Sequence, residues 1–520
     1  MTAGISLIPV KPALIERRYS KRQTLDSIVC NTLSQGRESA VANTMSIPEL
    51  QREALPTSGH GSLLKHIRDA IRGVPHDYTE GSIGRSLMLL AVPMVLETLM
   101  ESLFAVVDVF FVAKLGADAV ATVGLTESMI YIIFAVAMGL GIGAMAVVAR
   151  RIGEHDPEGA AKSAVQAIML GLIVGVVIGI VGVTLAPTFL RMLGAPATVL
   201  QIGTTYTRIM LGGNVVIVML YMINAIFRGA GDAVIAMRVL WFANFINIVL
   251  GPCLIFGIGP FPELGVTGAA VATTIGRGCG VLFQLSQFAR RNGRIVITRD
   301  RLGFDFSVMA RVWRLSTTAM FQIIIGTTSW LGLVKILSKY GSTAIAGNTI
   351  GIRIILFALL PSWGMANAAA TMVGQALGAG KPERAEKAAW MAGFYNMIFL
   401  GLIGLTFIVF AEPIAGVFTR EPVVLGYAAS CLRTVSFGFL FYAYGMVLTS
   451  ALNGAGDTWT PTWINLGCFW CWEIPLAYVL ANYAGLGPRG VFWAATVSFS
   501  TLALVSAVVF TRGNWKRKVV

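Results

Sequence analysis

From about residue 88 to the end, the chain alternates long apolar runs with short polar connections. Crossing about 30 Å of hydrocarbon as a helix takes about 20 residues, and the runs near 88–113, 120–149, 162–186, 198–227, 236–258 and 266–289 are long enough. A second set lies near 308–337, 344–374, 386–411, 423–451, 460–482 and 490–511. The pattern predicts an all-α membrane protein of twelve transmembrane helices in two sets of six.

The two sets are copies. Gly229-Ala230-Gly231-Asp232 returns as Gly454-Ala455-Gly456-Asp457, and Gly153, Pro157, Glu158 and Lys162 return as Gly378, Pro382, Glu383 and Lys387, every pair 225 residues apart. Lys114-Leu115-Gly116, Ala119 and Ala121 likewise return as Lys339-Tyr340-Gly341, Ala344 and Ala346. Matches at polar loop positions speak for duplication rather than chance similarity of Ala/Gly-rich helices. Six spans per copy is an even number, so both copies enter the bilayer from one side, as a parallel repeat. The expected units are a tail over 1–80, a first lobe over 81–300 and a second over 301–520.

Composition agrees: 56% of residues are hydrophobic, 13% are charged and mean hydropathy is +0.73, too apolar for a water-soluble core. The net charge of +14 mostly reflects topology. Arg150, Arg151, Arg228, Arg238, the cluster Arg290, Arg291, Arg294, Arg299 and Arg301, then Lys381, Arg384 and Lys387, and Arg512, Lys516, Arg517 and Lys518 all fall on one face, predicted to be cytoplasmic. Both termini are then inside a cell membrane. Scattered over loops, these residues form no nucleic-acid stripe.

The first eighty residues are polar and lack the apolar core of a signal peptide. They read as a cytosolic tail, with a transit peptide or a start upstream of Met45 as alternatives. A basic amphipathic helix near 62–73 suits either the inner leaflet or solvent. Six cysteines show no paired arrangement, and His60, His66, His76 and His155 all lie outside the spans. That leaves no imidazole in the membrane for a metal site or proton relay, so ion coupling falls to carboxylates.

Glu97, Glu101 and Asp108 share the first span. At 100° per residue, Glu101 and Asp108 point about 40° and about 20° from Glu97, forming one acidic stripe. An acid at mid-bilayer costs about 2.5–3.5 kcal/mol, which favours a wet cavity or proton uptake. Glu97 and Glu101, nearer the end of the span, also fit an interfacial position, and Glu127 at the start of the second span fits a helix-end contact. The second half has no Asp or Glu from Phe306 to Pro382, and Glu473 is its one deep candidate. Arg277, Arg353 and Arg433 also lie in spans, free to snorkel or pair.

From about Gly81 onward the chain resembles the multidrug and toxic compound extrusion (MATE) transporters. The resemblance rests on Pro93, Val107-Asp108-Val109-Phe110-Phe111-Val112, Phe227-Arg228-Gly229-Ala230-Gly231-Asp232, Asn247-Ile248-Val249-Leu250, Gly268-Ala269-Ala270-Val271-Ala272-Thr273 and the run Val373 to Glu383. It implies two six-helix lobes around a cavity, rocking between inward-open and outward-open states to export small compounds in exchange for protons or sodium. In the DinF-like branch a first-span Asp, matched by Asp108, works with an Asn matched by Asn247 and a Thr matched by Thr273. That branch also has an Asp where this chain has Gly251, a loss that Glu97 and Glu101 are candidates to offset. The acids that the NorM-like branch uses in spans seven and ten are missing, which favours protons.

No cofactor is expected beyond the coupling ion, and no metal unless sodium binds at Asp108 and Asn247. The expected cargo is a lipophilic cation meeting Glu127 or Glu473 and stacking on Trp330, Trp363 or Tyr442, aromatics that equally suit lipid-facing positions. A duplicated chain holds both moving halves and needs no partner subunit. The alternatives fit less well. The loop after the second span reads Ala149-Arg150-Arg151-Ile152-Gly153-Glu154, unlike a major-facilitator signature. A lipid-precursor flippase of the same superfamily calls for fourteen spans, and an intramembrane enzyme for a convergent nucleophile, base or metal set.

Overall fold

The computed structural model describes residues 63–289, 293–298, 303–518 and 520; the side chains of residues 105, 106, 108 and 109 lie outside what it describes. The predicted tail therefore lies outside the described residues except for its last part, where a helix spans Leu63–Arg72.

Among the described residues, eleven helices are long and apolar enough to cross a membrane, and a bent pair supplies a twelfth span. The first lobe consists of Ile83–Ala113, Ala117–Gly153, Pro157–Met192, Ala197–Ala230 (with a break at Gly213), Ala233–Phe256 and Val266–Phe288. The second consists of Phe306–Leu337, Ser342–Gly378, Pro382–Val409, the tenth span, Trp459–Asn482 and Pro488–Thr511. Local signals set several ends. The Asp156 carboxylate accepts from the Gly159 amide ahead of the third span, Asp305 accepts from Ser307 and Val308 ahead of the seventh, and prolines sit in the first turns of the third and ninth. Gly231 and Gly456, from the repeated motif, end the fourth and tenth spans in the left-handed region, at φ +86° and +85°.

The tenth span departs from the single run over 423–451. It divides into Pro422–Ser436 and Phe439–Gly454, bent by 60°. The break falls at Gly438, the repeat equivalent of Gly213. Gly438 packs tightly on the twelfth span, where a Cβ would lie 3.3 Å from Thr496 Cα. A break of this kind is invisible to an average of hydropathy.

The repeat is built into the packing as a two-fold exchange. The first span packs on the eighth and the second on the seventh. Where they cross, a Cβ on Gly364 would come 2.7 Å from the Val95 amide nitrogen, and a Cβ on Gly139 would come 2.7 Å from that of Met320. Gly139 and Gly364 are repeat mates, as are Val95 and Met320. At 37 residues each, the second and eighth helices are roughly 55 Å long and project beyond the hydrocarbon. They meet at their C-terminal ends, where residues 143–150 and 368–377 are buried without a break. Toward their N-terminal ends the repeat mates Tyr131 and Leu356, and Ile132 and Phe357, are exposed. Arg353 lies within electrostatic reach of the Glu127 carboxylate there.

Two segments strap the closed, basic end. His76–Gly81 runs between the lobes. On one side the Arg294 guanidinium donates to the His76 carbonyl and, at 3.0 Å, to the Ala230 carbonyl, while the Tyr78 hydroxyl donates to the Gly231 carbonyl at 3.2 Å. On the other, Arg384 donates to the carbonyls of Tyr78, Glu80 and Gly81 at 2.7–3.0 Å, and Lys381 to that of Thr79 at 3.1 Å. The C-terminal segment does the same job in reverse: Lys516 pairs with Glu386 and Lys518 with Asp457, while Arg150 of the second span donates to the Lys518 carbonyl at 2.6 Å.

Candidate coupling and cargo site

The acidic stripe of the first span is divided between two arginines. Glu97 is buried, and its Oε1 accepts from Arg228 Nη1 at 2.7 Å and Asn224 Nδ2 at 3.1 Å. Asn224 in turn accepts from Gln284 Nε2 at 2.6 Å, tying the first, fourth and sixth spans together. One turn further on, Glu101 Oε1 accepts from the Tyr221 hydroxyl at 2.9 Å and lies 3.7 Å from Arg277 Nη2. The Arg277 guanidinium stands 5.2 Å from the centre of the Phe104 ring and 5.7 Å from that of Phe134.

Beyond this pair lies the next layer. Asn247 Nδ2 donates to Thr273 Oγ1 at 2.9 Å, both residues buried, joining the fifth and sixth spans. The first span and the sixth run antiparallel. Asp108 is one turn past Phe104, and Thr273 one turn before Arg277, so the Asp108 backbone position falls within about a turn of the Asn247–Thr273 bond. The Asp108 side chain lies outside the described residues. At Gly251 an added Cβ would meet nothing within 4 Å, so there is room for a side chain. The fifth span also grips the backbone of the first: Trp241 Nε1 donates to the Leu96 carbonyl at 3.3 Å and Asn244 Nδ2 to the Met100 carbonyl at 3.2 Å.

The remaining candidates lie elsewhere. Glu127 is exposed on the second span, within electrostatic reach of Arg353. Trp330 and Trp363 are half-buried, Trp363 against the core of the second lobe. Tyr442 stacks on Phe499 at 4.2 Å and lies within electrostatic reach of Glu473. Glu473 is 1% exposed at the end of a π-helical stretch, Leu466–Glu473, and its Oε2 has no hydrogen-bond partner among the described residues. Arg433 pairs with Glu412 at 3.1 Å. The structure thus brings Glu97, Glu101, Asn247 and Thr273 into one lobe, and Tyr442 and Glu473 into the other.

Residues the sequence did not single out complete the first-lobe network: Asn224, Tyr221, Asn244, Gln284 and, above all, Arg228. Arg228 counted among the basic-face residues because it precedes a loop. Its side chain turns back into the lobe to meet Glu97. A signal was available: lying 131 positions apart in sequence, an in-span acid and a basic residue at a span's end can pair only through the fold.

Two six-helix lobes related by a parallel repeat, with carboxylates and arginines buried inside the spans, define a secondary transporter that works by alternating access. The MatE family profile matches residues 93–253 and 318–479, once in each repeat, and the chain belongs to this family of multidrug and toxic compound extrusion transporters. It is 27% identical over 448 residues to a probable multidrug resistance protein NorM of Thermotoga maritima, covering 84% of this chain and 94% of that one. It is 26% identical to an FAD transporter of Shewanella oneidensis, with 81% and 93% covered. Among solved structures, a MOP superfamily transporter from Pyrococcus furiosus matches with a TM-score of 0.79 and 27% identity, over 85% of this chain and 98% of that one.

Proposed function

We propose that this transporter exports amphipathic small organic compounds, cations among them, in exchange for protons taken up at Asp108. It works as a monomer in the cell membrane, with its basic face and both termini in the cytoplasm and no cofactor beyond the coupling ion. The observation that carries the coupling reading is the buried Asn247–Thr273 hydrogen bond within about a turn of the Asp108 backbone, in a lobe whose other first-span acids each face an arginine. Protonation removes the cost of burying the Asp108 charge and lets the first span repack; deprotonation restores a carboxylate that needs water or a cation. The relatives' cargoes, drugs and FAD, are likewise small organic molecules. With the straps in place on the basic face, the second and eighth spans are held together at that end.

The test is efflux of a cationic dye from vesicles carrying the purified protein, driven by a proton gradient or a sodium gradient in turn. Proton-driven efflux in the native protein and its loss in Asp108→Asn are expected. Undiminished transport by that variant sinks the assignment of Asp108, and efflux driven by sodium alone sinks the choice of proton.

A further inference from the structure

At the end of the second lobe away from the basic face lies a cavity of about 550 Å³, whose charged lining residues are Glu412, Arg433 and Arg489. The tenth and twelfth spans both start here and finish at the basic end, and they build the wall of the cavity by the same device. Arg433 on the tenth span is followed one turn on by Phe437, and Arg489 on the twelfth by Trp493. Four residues of helix rise about 6 Å, so on each helix the arginine stands near the surface and the aromatic ring one turn deeper. The two rings stack on each other, 6.1 Å apart and 4° from parallel.

Neither level is closed off. Arg433 pairs with Glu412 at 3.1 Å, with 43% and 61% of their side chains exposed, whereas Arg489 has no ion pair or hydrogen bond among the described residues. Two cations therefore stand against one carboxylate. Phe437 is 51% exposed and Trp493 42%, which suits a surface that meets acyl chains near the interface. The first lobe has no such arrangement. Gly265 and Gly487 open the sixth and twelfth spans at φ +53° and +56°, which makes Thr267 and Val271 the counterparts of Arg489 and Trp493. Arg433 corresponds to Arg208, and Phe437 to Gly212.

We propose that this cavity binds one anionic phospholipid of the adjoining leaflet, with its phosphate on Arg433 and Arg489 and an acyl chain along Phe437 and Trp493. A guanidinium fork matches phosphate oxygens two at a time. A soluble anion would use the arginines and leave the aromatic surface bare. A zwitterionic lipid would bring an ammonium into a site that already has a surplus cation. Phe437 stands directly before the break at Gly438, so a lipid held here ties the first half of the tenth span to the twelfth.

The experiment is native mass spectrometry of the full-length purified protein in detergent, titrated with phosphatidylglycerol or with phosphatidylcholine of the same chains. Charge-assisted hydrogen bonds and the missing ammonium predict about tenfold tighter binding of the first phosphatidylglycerol. Arg433→Gln combined with Arg489→Gln is expected to abolish that preference. Arg489→Gln alone, which breaks no pair within the protein and so guards against a folding defect, is expected to reduce it. Arg208→Gln, at the first-lobe counterpart, is expected to keep it, and glycerol phosphate at the same concentrations should displace no lipid. Equal affinity for both lipids in the native protein, a preference undiminished in Arg489→Gln or in the double variant, its loss in Arg208→Gln, or displacement by glycerol phosphate overturns the proposal. The measurement uses neither gradient nor cargo, so its outcome is independent of the export reading.

Discussion

Gly153 and Gly378 are 225 residues apart, equivalent in the repeat, and touch each other at the basic end of the molecule. A Cβ on Gly378 would lie 2.9 Å from Gly153 Cα, and a Cβ on Gly153 would run into the Gln375 carbonyl. The ends of the second and eighth spans thus close on the two-fold axis by backbone contact, which only a residue without a side chain permits.

Gly378→Ala should therefore prop this end open. Overpacking costs about 1–3 kcal/mol, which moves a two-state equilibrium by roughly five- to a hundred-fold. Spin-label distances between the ends of the second and eighth spans should lengthen and efflux should slow. Unchanged distances in the variant would show that the contact does not hold the closed state.

The strap over the same end should loosen in acid. Burial, and then the charges of Arg85 and Arg294, hold the His76 pKa below its ordinary 6.5, so the strapped state prefers the neutral ring. A lowered pKa means that the unfastened form binds more protons. The strap's contribution is complete above pH 6.5, falls as the pH drops through 6.5 toward the lowered value, and is flat below it. The labelling rate of Thr79→Cys, divided by that of a free thiol at the same pH, should be higher at about pH 5 than at about pH 8, and His76→Gln should flatten that profile. Asp77, whose pKa is lowered by its hydrogen bonds from Thr79 against the opposing effect of burial, acts below 3.8 and outside this window.

Glu97 and Arg228 should behave as one unit. Removing either charge strands the other in a buried site, at a cost of about 3–5 kcal/mol. Glu97→Gln and Arg228→Gln should each lower thermal stability, and the double variant should cost less than the two combined. Additive losses in a double-mutant cycle would rule out a coupled pair.

Gly251→Asp should fold, because the space beside Gly251 is open. It puts a second carboxylate on the fifth span, one turn from Asn247. A pair of carboxylates there is expected to admit sodium, so efflux by the variant should respond to a sodium gradient more strongly than efflux by the native protein. Absence of that gain in a folded variant would place the ion preference elsewhere.

How much of this was open to reading from the chain differs by feature. Span number and the duplication were legible, because crossing hydrocarbon demands long apolar runs and because the repeated Gly, Pro and Asp residues mark helix ends. Glu97 and Glu101 were legible as candidates because acids inside a span stand out, and Asn247 and Thr273 through the resemblance to a known family. Their partners were not. Arg228 looked like a topological charge, and Asn224, Tyr221 and Gln284 like ordinary residues of apolar helices, since nothing local says which face of one helix meets which face of another. The break at Gly438 was hidden for the same reason: it falls where the tenth span packs closely on the twelfth.

The sequence by itself determined that this is a duplicated twelve-span membrane protein, because bilayer thickness and helix periodicity act on neighbouring residues and leave their mark in order along the chain; that it is a transporter came from its resemblance to a known family. Only the tertiary structure decided that Glu97 goes to Arg228, that Glu101 goes to Tyr221 with Arg277 3.7 Å away, and that Gly153 closes on Gly378. Those outcomes depend on packing between helices far apart in the chain, where a few ångströms separate a hydrogen-bonded pair from two groups that are merely close.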